Sequence, residues 1–378
     1  MIQPEVDLLL HCAGFCVGGV DAKAVRTRAE KPLDWAALIE HARQHGVTLL
    51  LFRALESACP DVIPIQEFQK LRQNFQMTAN GNLFLTGELL KLLRLLRSNR
   101  IAAVPFKGPI LSILLFGDVT FREFGDLDIL VPMSDVIAAR DLLLSNGYAA
   151  KHLSEKFDLY TQFGHELDLL RHDGNVAVDL QWRFASKWIA FPIDLDDFWK
   201  RLESRPIGGE FVLQPALDDL LLLLCGHGYR HLWAQLKWIV DVAAYVNRFG
   251  ETIPWCEALE QAAQLGGRRI VLLGLHLARE LLGTALPQEV RNAIDCDPKI
   301  GELGLIVRNQ IIGKPQTTEN FRRSRQFVTK LRFHFKARER WQDKLPNPFP
   351  FGQCVFYWGQ RYFRHYSRQL SAFAGVRH

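Results

Sequence analysis

The sequence predicts an α+β chain: a mixed sheet with helices, flanked by N-terminal helices and a C-terminal helical domain. Three observations predict it. The first hundred residues carry apolar side chains at helical spacing. Between about residues 100 and 185, short apolar runs alternate with turn signals. Beyond about residue 190 the spacing returns to helical.

In the N-terminal part, Asp34 reads as an N-cap. Trp35, Leu38, Ile39 and Ala42 follow it on one face, and Gly46 closes the helix. Val47 to Ala58 reads as a second helix, stopped near Pro60. From Ile65 a long helical pattern runs toward Arg97, with Gly81 and Gly87 as the places where it would kink. The run Ile101 to Phe106 ends at Lys107-Gly108-Pro109, which reads as strand, turn and helix start. Asp126 to Val131 alternates carboxylate and apolar residues, as a strand does. Pro132 and Ser134 open a helix that Gly147 closes. His165 to Leu170 and Asn175 to Phe184 read as a hairpin around Asp173-Gly174. The later helices are expected at 215–230, 233–248, 254–265, 268–282, 287–294 and 300–312.

These signals divide the chain into an N-terminal helical region (1–84), a compact α/β unit (85–188), a helical domain (189–313) and a tail (314–378). The tail holds 14 Lys/Arg against three Asp/Glu, a net of +11, while the rest carries −6. Its basic residues interleave with aromatic ones. It either meets an anionic partner, such as nucleic acid, an acidic membrane surface or an acidic protein face, or packs its aromatics on the helical domain with the charges solvated.

With 378 residues and 48% hydrophobic content, the chain has ample material for a core, which excludes global disorder. The net charge of +5 is too small to argue for nucleic acid by itself. No apolar run approaches the roughly 20 residues of a membrane span. Glu5 and Asp7 precede the first apolar stretch, the wrong order for a signal peptide. Seven cysteines without a CxxC pair argue against zinc and a disulfide framework. The chain therefore reads as a cytoplasmic protein with reduced thiols.

The chemistry lies in Arg122-Glu123-Phe124-Gly125-Asp126-Leu127-Asp128-Ile129-Leu130-Val131. In a strand, Asp126 and Asp128 share a face while Leu127 and Ile129 point to the core. Two such carboxylates repel, and binding a divalent cation relieves the repulsion; hard oxygen ligands suit Mg2+. Gly125 allows a sharp turn before the pair. Asp179, in the second strand of the hairpin, adds a third carboxylate if its strand neighbours the first. Three carboxylates fit two metal ions and an in-line phosphoryl displacement, with Asp179 placed to take the acceptor's proton.

These features resemble the nucleotidyltransferase fold of the DNA polymerase β-like superfamily: a Gly-containing turn opening a helix, then D-x-D, then a third Asp. More narrowly, Phe106-Lys107-Gly108, Arg122 through Val131 and Val178-Asp179-Leu180-Gln181-Trp182 are similar to the motifs of an uncharacterised bacterial nucleotidyltransferase group. That group's downstream helix corresponds to His227, His231, Trp233, Leu236, Lys237, Trp238, Ile239 and Asp241. Two positions depart from the pattern. Gln181 stands where a His is expected, and Lys107-Gly108 replaces Gly-Ser, with Ser112 one turn into the helix.

The resemblance implies a Mg2+-dependent enzyme, two ions being expected, that moves a nucleoside monophosphate from an NTP such as ATP to an acceptor with release of pyrophosphate. Asp126, Asp128 and Asp179 would be catalytic and bind metal. Lys107, Gly108, Ser112, Arg122, Gly125, His227 and His231 would surround the nucleotide. Some of these keep alternatives. Lys107 could be a plain surface lysine. Arg122 would hold the triphosphate or pair with Asp126 or Asp128. His227 and His231 share a helix face and could line the cleft, bind zinc or be structural. The acceptor is open among a small molecule, a glycan precursor, a peptide and a protein. The rival reading is a nucleotide-binding interaction module with little or no turnover.

Overall fold

Capping chemistry starts and stops α3 at the expected place. In this computed structural model, which describes residues 2–151, 157–185, 193–313, 332–340 and 343, α1 (Pro4–Cys16), α2 (Ala22–Ala29), α3 (Trp35–His45) and α4 (Thr48–Ala58) come first. The Asp34 carboxylate accepts from Ala37 N at 3.0 Å, and Gly46 ends α3 at φ +65°. The long α5 (Ile65–Ser98) follows, then β1 (Val104–Pro105), α6 (Gly108–Phe116) and β2 (Asp126–Leu130). At 34 residues α5 is about 50 Å long and runs unbroken through Gly81 and Gly87. Both glycines face open space, where a Cβ would touch nothing within 4 Å.

A 3-10 turn (Met133–Asp135) leads into α7 (Val136–Ser145), β3 (Tyr148–Ala150), α8 (Phe157–Phe163), β4 (Glu166–Arg171) and β5 (Ala177–Gln181). Between β4 and β5, Gly174 takes φ +76° and its N–H reaches Arg171 O at 2.8 Å, as the Asp173-Gly174 signal predicts. The five strands form one mixed sheet in the order β1-β2-β5-β4-β3. All neighbours are antiparallel except β2 and β5, which are parallel.

The chain continues through α9 (Leu195–Lys200) and a small separate hairpin of β6 (Glu203–Ile207) and β7 (Glu210–Gln214), neither of which the sequence pattern foretold. The helices α10 (Leu217–Arg230), α11 (Leu236–Phe249), α12 (Trp255–Gln264), α13 (Arg268–Leu282), α14 (Gln288–Asp295) and α15 (Pro298–Ile312) match the six expected helices.

Two main apolar cores result. One face of the sheet, with Leu127, Ile129, Leu167, Leu169, Val178 and Leu180 all buried, packs on Leu85, Leu89, Leu92 and Leu96 of α5 and on α7. Each such side chain contributes roughly 1.5–3 kcal/mol on removal from water. The other core joins α1–α4 with α10–α15, so the N-terminal helices and the helical domain share it. Within the described part of the basic tail, Phe333 and Ala337 are buried in this core and Lys336 pairs with Glu302. The rest of the tail, including most of its aromatics, lies outside the described residues.

α6 links the two cores. Leu111 and Leu115 enter the helical core, while Ile110 enters the sheet core. A helix apolar on all sides has to be buried this way. Its start is fixed by Gly108 at φ +55°, with Pro109 in the first turn, and Gly117 at φ +76° ends it. An L side chain in that left-handed conformation costs roughly 1–2 kcal/mol. Gly108→Ala should therefore lower the unfolding free energy by about that amount, read from the urea midpoint. Gly125→Ala, at a residue without positive φ and with open space around it, should leave the midpoint nearly unchanged.

Candidate functional site

The register of the sheet puts the carboxylates together. β2 and β5 pair so that Asp128 and Asp179 are direct partners, and Asp126 lies opposite Ala177. On a pleated sheet, Asp126, Asp128, Ala177, Asp179 and Gln181 therefore share the face away from the α5 core. β4 adds two more acids to it: Asp168 is the partner of Asp179, and Glu166 the partner of Gln181. The sequence reading missed both. The signal was present in Glu166-x-Asp168, which alternates in the same period as Asp126-x-Asp128.

Crowding shows in the acidities. Desolvation, then repulsion from Asp128, Asp126, Asp168 and Glu166, raises Asp179 to about 7. Desolvation and the Asp128 charge also raise Asp126, against Lys107, Lys237 and Arg122. Against the desolvation that raises it, the His165 imidazole, 3.2 Å away, brings Glu166 down to about 2.

Asp128 is the best-partnered of the set. Its Oδ1 accepts from Lys107 Nζ at 2.9 Å and from Gln181 Nε2 at 2.8 Å, and its side chain is 6% exposed. Lys107 is the N-cap of α6 and also lies over the Phe106 ring, 5.0 Å from its centroid. The surface-lysine alternative is thus replaced by an ion pair within the carboxylate set. Gln181, whose role the sequence left open, is buried and orients Asp128. Lys107 and Gly108 bring the first turn of α6, with its unpaired N–H groups, to the same end of β2: a Cβ at Gly108 would lie 3.5 Å from Asp126 O.

Arg122 has another partner than expected. It is 7% exposed and forks onto Asp241 of α11, with Nε–Oδ1 at 2.9 Å and Nη2–Oδ2 at 3.2 Å. Its hydrogen bonds go to Asp241 and not to Asp126 or Asp128. The reason is geometric: the segment before β2 brings Arg122 to α11, whose Asp241 offers a buried fork acceptor. Ser112 is likewise committed elsewhere. It is fully buried and its hydroxyl donates to Asp118 O at 2.7 Å, closing the α6–β2 connection.

The rest of that connection is pinned by α4 and α5. Asn82 of α5 donates to Val119 O and Arg122 O, Arg53 of α4 binds Asp118, and Glu123 accepts from Leu49 N at the start of α4. Arg122 and Glu123 of the motif are thus braces.

His227 and His231 of α10 stand beside Trp238 of α11. Their rings are 4.6 Å apart, with Trp238 5.4 Å from His227 and 5.2 Å from His231. The turn between the helices carries Leu232 and Trp233 at φ 57° and 54°, and the Trp233 ring fills the space over Gly228. Burial, then the Lys107 ammonium, holds His227 neutral, well below its ordinary value. A small cavity of about 10 Å3 between Lys107, Arg122, His227, Trp238 and Asp241 has room for one water at most. Among the described residues no three His, Cys, Asp or Glu side chains, the carboxylates of the sheet included, are gathered into a ready-made metal cluster.

A family model described as an uncharacterised nucleotidyltransferase matches residues 31–283, two thirds of the chain. The chain belongs to this family. The match spans α3 through α13, so the sheet, the Arg122–Asp241 brace and the His227–Trp238 cluster all fall inside it. No curated protein and no solved structure matches the chain. The family description makes the protein a nucleotidyltransferase at a coarse level, with an NTP as its implied substrate. No helix among the described residues is long and apolar enough to cross a membrane.

Two measurements check this geometry. Asp241→Ala leaves the Arg122 guanidinium buried without its partner and should destabilise the protein by about 3–5 kcal/mol in urea unfolding. The double change Arg122→Met with Asp241→Leu should cost markedly less. Asp179→Asn should do the opposite. The folded protein raises this acid, so its ionised form costs stability. That cost is absent below the unfolded value near 3.8, grows as pH rises, and is complete above about 7. Asp179→Asn should therefore raise the melting temperature at pH 8 by roughly 2 °C and have little effect at pH 4.

Proposed function

We propose that the protein transfers a nucleoside monophosphate from an NTP to an acceptor hydroxyl, phosphate or amine, in a reaction dependent on Mg2+. The acceptor atom forms a bond to the α-phosphorus, the bond from that phosphorus to the β-phosphate oxygen breaks, and pyrophosphate leaves. The observation that carries this reading is one sheet face with Asp128 and Asp179 in register and Asp126 beside them.

The donor set fits a divalent ion. It offers hard carboxylate oxygens, and two of its members are raised by the others' charge, a repulsion that a cation removes. Asp126, Asp128 and Asp179 would hold Mg2+, two ions in this reading; when bound, it neutralises charge on the attacking and leaving oxygens. Lys107 and the N–H groups at the start of α6 bind the polyphosphate. Asp179, beside the attacking oxygen, orients or deprotonates the acceptor hydroxyl. Trp238 and the neutral His227 and His231 supply flat surfaces beside the site for the base or the acceptor. The helical part around α10 and α11 selects the acceptor. In such a site rate comes mostly from positioning and charge neutralisation.

Incubation with each α-labelled NTP and fractionated cell extract tests the reading. Label should move to an acceptor with pyrophosphate release, and Asp128→Asn should reduce it at least about a hundredfold. Transfer that survives Asp128→Asn would reject the assignment. Nucleotide binding without any pyrophosphate release would favour a binding module instead.

A further inference from the structure

Two donors of different charge converge on a single oxygen of the site. Lys107 Nζ and Gln181 Nε2 both hydrogen-bond Asp128 Oδ1, at 2.9 and 2.8 Å. The Lys107 side chain is 14% exposed and Gln181 is 2% exposed, so this arrangement is largely sheltered from water. Asp128 thus already has a neutralising cation. An incoming metal ion competes with the ammonium for the same lone pairs, and the two positive charges repel at that distance. The amide of Gln181 is neutral, so it opposes no metal and can keep its bond to Asp128 while the cation changes.

Lys107 also sits where a polyphosphate arrives. As the N-cap of α6 it adjoins the unpaired N–H groups of the first turn, which attract anions. Its flexible stem carries a point charge that pairs with either partner. We propose that Lys107 is an exchangeable counter-ion that makes divalent-ion loading depend on the triphosphate. The polyphosphate draws the ammonium off Asp128, the freed oxygen takes the metal ion, and Gln181 acts as a positioning residue that holds the carboxylate through the exchange. This inference rests on the nucleotidyl-transfer reading above and adds an order of binding to it.

Mn2+ affinity of the full chain, read by the loss of the free-ion paramagnetic resonance signal, tests the order. It is measured with and without an NTP analogue whose α,β-bridging oxygen is replaced by methylene. Wild-type protein should bind Mn2+ weakly alone and about tenfold tighter with the analogue. Lys107→Met should bind Mn2+ alone about tenfold tighter than wild type and gain less from the analogue. Lys107→Gln repeats the test if the methionine variant does not fold, and Lys107→Arg should stay near wild type without nucleotide. Gln181→Met should weaken Mn2+ binding about tenfold in both conditions. Bare Mn2+ affinity in Lys107→Met or Lys107→Gln equal to or below that of wild type would overturn the proposal. Wild-type protein that binds neither Mn2+ nor the analogue would overturn the nucleotidyl-transfer reading itself, and the order of binding with it.

Discussion

Like-charge repulsion on one sheet face is the constraint around which the molecule is arranged. β2, β5 and β4 bring Asp126, Asp128, Asp179, Asp168 and Glu166 to the same side. Left to itself, such a set would favour separation of the strands. It persists because the opposite side of the same strands is a continuous apolar layer, with Ile129, Leu169, Val178 and Leu180 out of water entirely. The alternation that drives one side into the core fixes the register, and the register places the acids side by side. Lys107, Gln181 and His165 then take up part of the charge.

The second constraint is attachment. A sheet that carries the chemistry on one face must be held relative to the helices that would cover it. Here the stretch between α6 and β2 does this. Asn82, Arg53 and the start of α4 hold it from one side, and Asp241 of α11 grips Arg122 from the other. α6 itself belongs to both cores. The strand bearing Asp126 and Asp128 thus starts at a point fixed by α4, α5 and α11 together. Removing water from an arginine–carboxylate pair contributes little net stability, and the fork geometry of the Arg122–Asp241 bonds sets how the two segments meet.

How much of this was legible in the sequence depended on range. Period-two alternation in Asp126–Val131 and the Asp173-Gly174 turn are local, and both strands appear where expected. The later helices were legible for the same reason, from apolar spacing and glycine or proline ends. The hairpin β6–β7 escaped because β6 reads Glu203-Ser204-Arg205-Pro206-Ile207 and β7 puts three apolar residues in a row, with Phe211 70% exposed, so no alternation marks either strand. The partner of Arg122 escaped because it is 119 residues away. An arginine beside two aspartates invites a local pairing, and only the packing of α11 reveals a better one. The resemblance put Ser112, one turn into the helix, among the residues around the nucleotide; its hydroxyl is bonded to Asp118 O. Asp168 could have been found, since a hairpin centred on Asp173-Gly174 places it opposite Asp179.

Two cations near the aspartates, Arg122 and Lys107, show why their chemical types differ. Arg122 makes three contacts to Asp241 in a planar fork, is almost without exposure, and spans two helical and sheet elements. Guanidinium geometry suits a permanent brace, because breaking it means losing several aligned hydrogen bonds at once. Lys107 makes one hydrogen bond to Asp128, through a flexible stem, at the mouth of a helix whose free N–H groups offer an anion a second place. An ammonium bound to one oxygen can move to another acceptor with a single exchange. Exchanging the two residue types would fail for physical reasons. A lysine at 122 would leave half of the Asp241 fork unpaired in a buried site. An arginine at 107 would tend to chelate Asp128 with both prongs and resist leaving it. The sequence therefore places the rigid cation where the architecture needs holding and the mobile one where chemistry needs access.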